Sequence, residues 1–218
     1  MKYIRLFENH SDYEDFASGG TMELPNVSYC ETENEVHYNP IDNCQQYDYV
    51  DLGLPSGTKW ATKNVGACDI TDYGNYYMYG MGTKAYDSTD TPYAGTENPL
   101  ALSADTAAQV LGGEWHTPTL TQFTELINNT TYQWVTDYQG SGINGGLFTS
   151  KNNINSVFFP AAGVIDGEGL KFESSRFYLW SSTPYNNKYC YYFYGYETNK
   201  GVNYVAPNNG FQIRAVAD

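Results

Sequence analysis

Between Tyr185 and Asn209 the chain carries seven tyrosines and six asparagines in 25 residues, a concentration of large side chains with polar tips. The run Tyr185-Asn186-Asn187-Lys188-Tyr189-Cys190-Tyr191-Tyr192-Phe193-Tyr194-Gly195-Tyr196 is followed by Asn199, Asn203, Tyr204, Asn208 and Asn209. Each buried phenol needs a hydrogen-bond partner, so a small domain cannot bury all of these rings, and several are expected at the surface. Two readings are open. One is a tyrosine-rich edge strand with no ligand. The other is a contact surface, in which Tyr supplies rigid area at low entropic cost and Asn supplies adaptable hydrogen bonds. Alternation along Cys190 to Tyr196 places Tyr192, Tyr194 and Tyr196 on one face, expected to meet solvent and ligand, and Phe193 and Gly195 on the other. The candidate ligand-contacting set is Tyr185, Asn186, Asn187, Tyr189, Tyr192, Tyr194, Tyr196, Asn199, Asn203, Tyr204, Asn208 and Asn209. Trp180, Phe193, Phe211 and Ile213 are expected in the core.

Residues suited to catalysis or metal binding are sparse. Cys30, Cys44, Cys68 and Cys190 form no C-x-x-C pair, and His10, His37 and His116 are scattered, so a zinc site has no motif behind it. The four cysteines read as free, mostly buried thiols. Asp166-Gly167-Glu168-Gly169 brings two carboxylates together, but between glycines they read as a turn rather than an acid/base pair. No His stands beside a Ser or Cys in a triad-like setting. The expectation is a non-enzyme without a cofactor; the metal question stays open, since abundant carboxylates alone do not define a calcium site.

The chain has 218 residues, 25 acidic against 11 basic, for a formal net charge of -14. Such acidity argues against nucleic acid as a partner, and against anionic membrane surfaces for the same reason. No apolar stretch approaches a membrane span, and the opening Met1 to His10 turns polar before any signal-peptide core forms, so a soluble chain that does not use the general secretory route, and stands in the cytoplasm before any assembly, is expected.

The elements that must position the tract follow from local signals. Tyr3 to Phe7 alternates like a strand, Ser11 and Glu14 form a capping box for a short helix, and Val27–Cys30 with Glu35–Tyr38 read as a hairpin. Residues 1–42 are therefore expected to form a small βαββ module, 43–46 a linker after Asn39-Pro40, and 47–218 the main domain. In that domain one helix is expected over Ala104 to Leu111, with Ser103 as cap and Gly112-Gly113 as stop, and another after Thr119, where Thr119 and Gln122 match a capping box. Beyond Trp134, short apolar runs (Gly146–Thr149, Ser156–Phe159, Phe177–Ser181, Tyr189–Tyr196, Phe211–Val216) are separated by Gly, Asn, Asp and Pro. The fold class is α+β, two helices with irregular antiparallel sheets. Trp60, Trp115 and Trp180 read as core anchors, and Gly53, Gly57, Gly66, Gly163 and Gly210 as turns with positive φ.

The segment Tyr49-Val50-Asp51-Leu52-Gly53-Leu54-Pro55-Ser56-Gly57-Thr58-Lys59-Trp60-Ala61, with Asn64-Val65-Gly66-Ala67, resembles the opening of the Fibrobacter major paralogous domain family of gut anaerobes and their phages. Gly113-Glu114-Trp115-His116-Thr117-Pro118-Thr119, Phe159-Pro160-Ala161-Ala162-Gly163, Tyr178-Leu179-Trp180-Ser181-Ser182 and Gly210-Phe211-Gln212-Ile213-Arg214 follow in that family's order. The resemblance covers residues 47–218 and implies a C-type-lectin-like fold, in the branch shared with formylglycine-generating enzymes and the variable proteins of diversity-generating retroelements. It implies a variable tract at about 179–210, where those variable proteins display diversified residues. Adenine-directed substitution turns AAT and AAC asparagine codons into Tyr and other codons without creating stops, which suits a tract rich in both. The implied function is ligand or receptor binding as a phage tail or surface adhesion component, with a protein or glycan receptor on a target cell. Residues 1–42 resemble a module at the front of phage-associated proteins and would serve homo-oligomer or virion assembly. Two alternatives stand: a structural virion or cell-surface subunit whose tyrosines pack in an assembly, and a formylglycine-generating-type enzyme, although Cys190 lacks the neighbouring cysteine that such enzymes use. The calcium-dependent sugar motifs of ordinary C-type lectins are not matched, since Glu97-Asn98-Pro99 has a different order.

Overall fold

A computed structural model describes residues 28–32, 35–39, 44 and 46–218. The chain divides into two compact units, Met1–Asp42 and Asn43–Asp218. Of the first, β1 (Ser28–Thr32) and β2 (Glu35–Asn39) pair antiparallel as the expected hairpin, with Cys30 opposite His37. The expected strand at Tyr3 and helix after Ser11 lie outside the described residues.

The second unit is mixed, with few helices and several antiparallel sheets. It opens with β3 (Tyr49–Asp51) and β4 (Lys59–Ala61), followed by a long irregular stretch to α1 (Thr106–Leu111). Then come α2 (Leu120–Asn129), β5 (Thr130–Val135), β6 (Gly145–Ser150) and β7 (Ser156–Pro160). A small hairpin, β8 (Val164–Asp166) and β9 (Gly169–Lys171), precedes β10 (Phe177–Pro184), β11 (Cys190–Tyr196), β12 (Asn199–Val205) and β13 (Val216–Ala217). The sheets run in the orders β13-β4-β3, β5-β6-β7, β8-β9 and β10-β11-β12. Among the described residues no helix is long and apolar enough to cross a membrane.

The capping box at α2 forms as its residue types dictate: Thr119 accepts from the Gln122 backbone and Gln122 reaches back to the Thr119 N–H. Its buried side, Phe123 and Leu126, meets Leu52, Trp60, Phe148, Phe159 and Phe193 in one hydrophobic cluster. Helix α1 differs from expectation. It starts at Thr106, and its cap is Asp105 rather than Ser103, because the Asp105 carboxylate takes hydrogen bonds both from Ala108 N and from the backbone and hydroxyl of Thr117.

Four further expectations are corrected. Cys44 and Cys68 form a disulfide rather than two free thiols. The β3–β4 hairpin, extended by Thr62 N donating to Asp48 O, folds the intervening chain back on itself and brings the flanking cysteines together. Cys190 is a buried free thiol, as read. Phe211 to Val216 is not one strand, since its backbone groups are shared among several partners: Phe211 with Tyr77, Ile213 with Val65 and Ala215 with Ala61. Trp60 and Trp180 are core, but Trp115 is half-buried at the edge of a second cluster. Gly53, Gly57, Gly66 and Gly163 have positive φ; Gly210 does not, and is required instead by close approach, since a Cβ there would stand 2.8 Å from the Tyr86 ring.

Arg214 closes the unit. Its guanidinium, fully buried, donates to Asn64 Oδ1 and to the carbonyls of Ala61, Thr62 and Phe158, and it lies over the Phe159 ring. One side chain thus donates to carbonyls from two distant segments.

Candidate functional site

The tyrosine tract builds the sheet β10-β11-β12, whose strands form because aromatic and β-branched residues favour a pleated, half-buried surface. Register pairs Tyr178 with Tyr194 and Trp180 with Tyr192 on one side, and Tyr192 with Asn203 and Tyr196 with Asn199 on the other. Phe177, Leu179, Phe193 and Gly195 therefore share one face. Phe193 packs there against Phe123 (ring centroids 4.8 Å apart) and Phe177 (5.4 Å), and Gly195 leaves room for the Phe177 ring.

The opposite face carries Tyr192, Tyr194 and Tyr196 as a ladder, with successive centroids 6.1 and 6.2 Å apart. This face is not bare. Tyr192 leans on Phe211 at 5.0 Å and on Tyr178 at 5.9 Å, and burial, with the neighbouring phenols of Tyr178 and Tyr194, raises its pKa. The ladder opens outward toward Tyr196, where the Arg176 guanidinium lies 5.2 Å above the ring, a cation–π arrangement repeated over Phe172 at 4.3 Å. Asn199 Nδ2 donates to the Tyr194 hydroxyl at 3.4 Å, and Gly201 lies beneath that ring.

A second aromatic group sits at the β10–β11 tip. Tyr185 and Tyr204 stack at 4.0 Å with planes 3° apart, Tyr191 meets Tyr185 edge-on, and Tyr189 lies 5.8 Å from Tyr204. Tyr185, Tyr189 and Tyr204 are between 40% and 45% exposed, more than any ring of the ladder. Tyr204 pairs with Tyr191, so this group belongs to the Phe193 side of the sheet. The twelve candidate residues do not share one face. Tyr192, Tyr194, Tyr196, Asn199 and Asn203 form one patch, and Tyr185, Tyr189 and Tyr204 another.

The asparagines divide by role. Asn186 Oδ1 accepts from Lys188 N and Tyr189 N and so builds the tip turn, and Asn209 Nδ2 donates to Ala206 O. Asn187 and Asn208 are exposed without protein hydrogen bonds. The hydroxyls of Tyr191 and Tyr196 have no protein partner, and neither is buried, so both are left to water. Trp180, Phe193, Phe211 and Ile213 are all buried. Tyr178, Arg176 and Tyr191 complete the two aromatic groups although the candidate set omits them. The pairing of Phe177–Ser181 with Tyr189–Tyr196 is the signal that places Tyr178 and Tyr191 there.

Sites with other chemistry are limited. Asp166 and Glu168 form the β8–β9 turn, both bonded to Lys171 Nζ. Burial pushes the Cys190 thiol up to about 12, away from nucleophilic use. Among the described residues no group of three His, Cys, Asp or Glu is placed to hold a metal ion. Compared with known protein families, with curated proteins and with solved structures, the chain has no match.

Proposed function

We propose that this protein is a binding module: a C-type-lectin-like domain of the Fibrobacter major paralogous type that presents a diversified Tyr/Asn surface to a protein or glycan receptor, as part of a phage tail or surface adhesin. The observation that carries the reading is the division of labour within β10–β12. Alternate residues of one strand go to a hydrophobic core rich in aromatic rings or to half-open phenols, and Tyr and Asn at the tip stand in solvent. A scaffold that tolerates change must confine it to positions whose side chains hold nothing else.

Sequencing the gene from independent isolates tests this. The expected outcome is variation concentrated at Tyr185, Asn187, Tyr189, Tyr194, Tyr196, Asn203, Tyr204 and Asn208, with Trp180, Phe193, Phe211 and Ile213 unchanged, beside a near-repeat of the 3′ end differing at adenines. Differences spread evenly along the chain, or falling on Trp180 and Phe211 as often as on Tyr196 and Asn203, overturn it. The structural-subunit reading draws on the edge position of β12, which leaves Val202 and Tyr204 outward. It predicts that Tyr204→Ser lowers the oligomeric state measured by light scattering.

A further inference from the structure

Away from the tyrosine tract, a cleft of about 610 Å³ lies between the segment leading into α1, residues 113–116, the start of α2 and the Asp218 end of the closing segment. Its size is that of a small-ligand site. One part of its wall is apolar, formed by Pro99, Leu100, Leu102 and Trp115. The rest carries three carboxylates, Asp105, Glu114 and Asp218, and no Lys or Arg.

Two of the three carboxylates are held by neutral hydrogen-bond donors. Asp105 is 2% exposed, and all its partners are neutral: Thr117 N, Thr117 Oγ1 and Ala108 N. Asp218 Oδ1 accepts from Thr58 Oγ1 and from Gln122 Nε2, each at 2.9 Å, while Oδ2 stands 3.3 Å from His116 Nε2. Glu114 is exposed and has no protein partner. His116 faces only Asp218, so no cationic side chain stands beside Asp105 or Glu114; Asp105 is buried, while Glu114 and Asp218 are open to water. Ser182, 1% exposed, also lines the cleft, and its Oγ has no hydrogen-bond partner.

Negative charge beside an indole and aliphatic side chains disfavours phosphates and carboxylates and favours a cation with an apolar body. We propose that this cleft binds a small organic ammonium compound, its charged nitrogen toward Glu114 and Asp105 and its alkyl groups against Trp115 and Leu100. The inference is independent of the tyrosine surface, because no residue of 185–209 lines the cleft.

Isothermal titration of the full chain with choline and with its neutral isostere 3,3-dimethylbutan-1-ol tests it. Choline is expected to bind at least about tenfold more tightly than the isostere. Glu114→Gln and Trp115→Leu, checked for folding by circular dichroism, should each weaken choline about threefold or more, while Glu173→Gln, a surface charge outside the cleft, should not. Equal binding of the two probes, absence of choline binding at about 50 mM, indifference to both cleft variants, or an equal loss in Glu173→Gln overturns the assignment. The last outcome would mean that the chain's overall acidity, and not the cleft, attracts the cation.

Discussion

Gly195 lies between Tyr194 and Tyr196, yet its role is the opposite of theirs, and Gly195→Ala measures the difference. A Cβ at this position would stand 2.4 Å from two carbons of the Phe177 ring and 3.1 Å from the Tyr132 hydroxyl. Ordinary carbon contacts are about 3.5–4.0 Å, so the ring would have to retreat by about 1 Å. It has nowhere to go. Phe177 is fully buried and wedged between Phe148, Phe159 and Phe193, at centroid distances of 6.2, 5.5 and 5.4 Å. Overpacking of this kind costs about 1–3 kcal/mol. The gain from replacing a strand glycine is about 0.5–1 kcal/mol, leaving a net loss of about 1–2 kcal/mol. At about 2–4 °C per kcal/mol for a chain of this length, Tm should fall by about 2–8 °C. Gly201→Ala is the control on the neighbouring strand. Its Cβ would meet Tyr194 at 3.4 Å and beyond, an ordinary contact, so the entropic gain stands alone and Tm should rise by about 1–4 °C. Thermal melts followed by circular dichroism decide the matter. A Gly195→Ala protein melting within about 1 °C of the parent, or a Gly201→Ala protein less stable than Gly195→Ala, would refute the assignment of faces.

Other outcomes follow from single side chains. Asp105→Ala removes the α1 cap and leaves Thr117 N and Oγ1 buried without their acceptor, a loss of about 2–4 kcal/mol in urea unfolding; Asp105→Asn should recover part of it. Arg214→Ala strips donors from Asn64 and three carbonyls, and should cost about 3–5 kcal/mol by the same assay. Burial raises both the Tyr76 phenol and the Cys190 thiol to about 12, so the folded chain holds these protons more tightly than the unfolded one. Stability is then complete below about pH 9 and falls as pH rises toward 12, and Cys190→Ala should fall less steeply over that window; parallel slopes for parent and variant would contradict the assignment.

What could be read along the chain was whatever local chemistry decides. The Thr119 capping box and the strands at Gly145–Ser150, Ser156–Pro160, Phe177–Pro184 and Cys190–Tyr196 follow from hydroxyl caps, β-branched and aromatic runs, and the glycines and asparagines between them. Strand β12 was not legible, because Asn199, Lys200, Gly201 and Asn203 have little strand preference and are held extended by pairing with β11. Ser103 and Asp105 are equally suited to cap a helix; Asp105 prevails through Thr117, twelve residues away. The Tyr192-Tyr194-Tyr196 face was legible from alternation alone. The tip cluster was not, since stacking of Tyr185 on Tyr204 depends on how two hairpins meet. The Cys44–Cys68 bridge likewise depends on the β3–β4 hairpin.

The buried guanidinium of Arg214 also sets the order in which the chain can fold. Its partners at Asn64 and Ala61 lie 150 and 153 residues earlier, and Val216 must reach back to Trp60 to complete the first sheet. Closing a loop of that length costs about 4–5 kcal/mol of chain entropy before any contact repays it. On a ribosome Arg214 emerges after every group it serves, so those carbonyls wait for a donor until it clears the exit tunnel. The tyrosine strands, all upstream of Arg214, leave the exit tunnel while the unit is still open. Folding of residues 43–218 is thereby deferred until Arg214 has emerged, and a nascent chain stalled before Arg214 should remain protease-sensitive however long it is held.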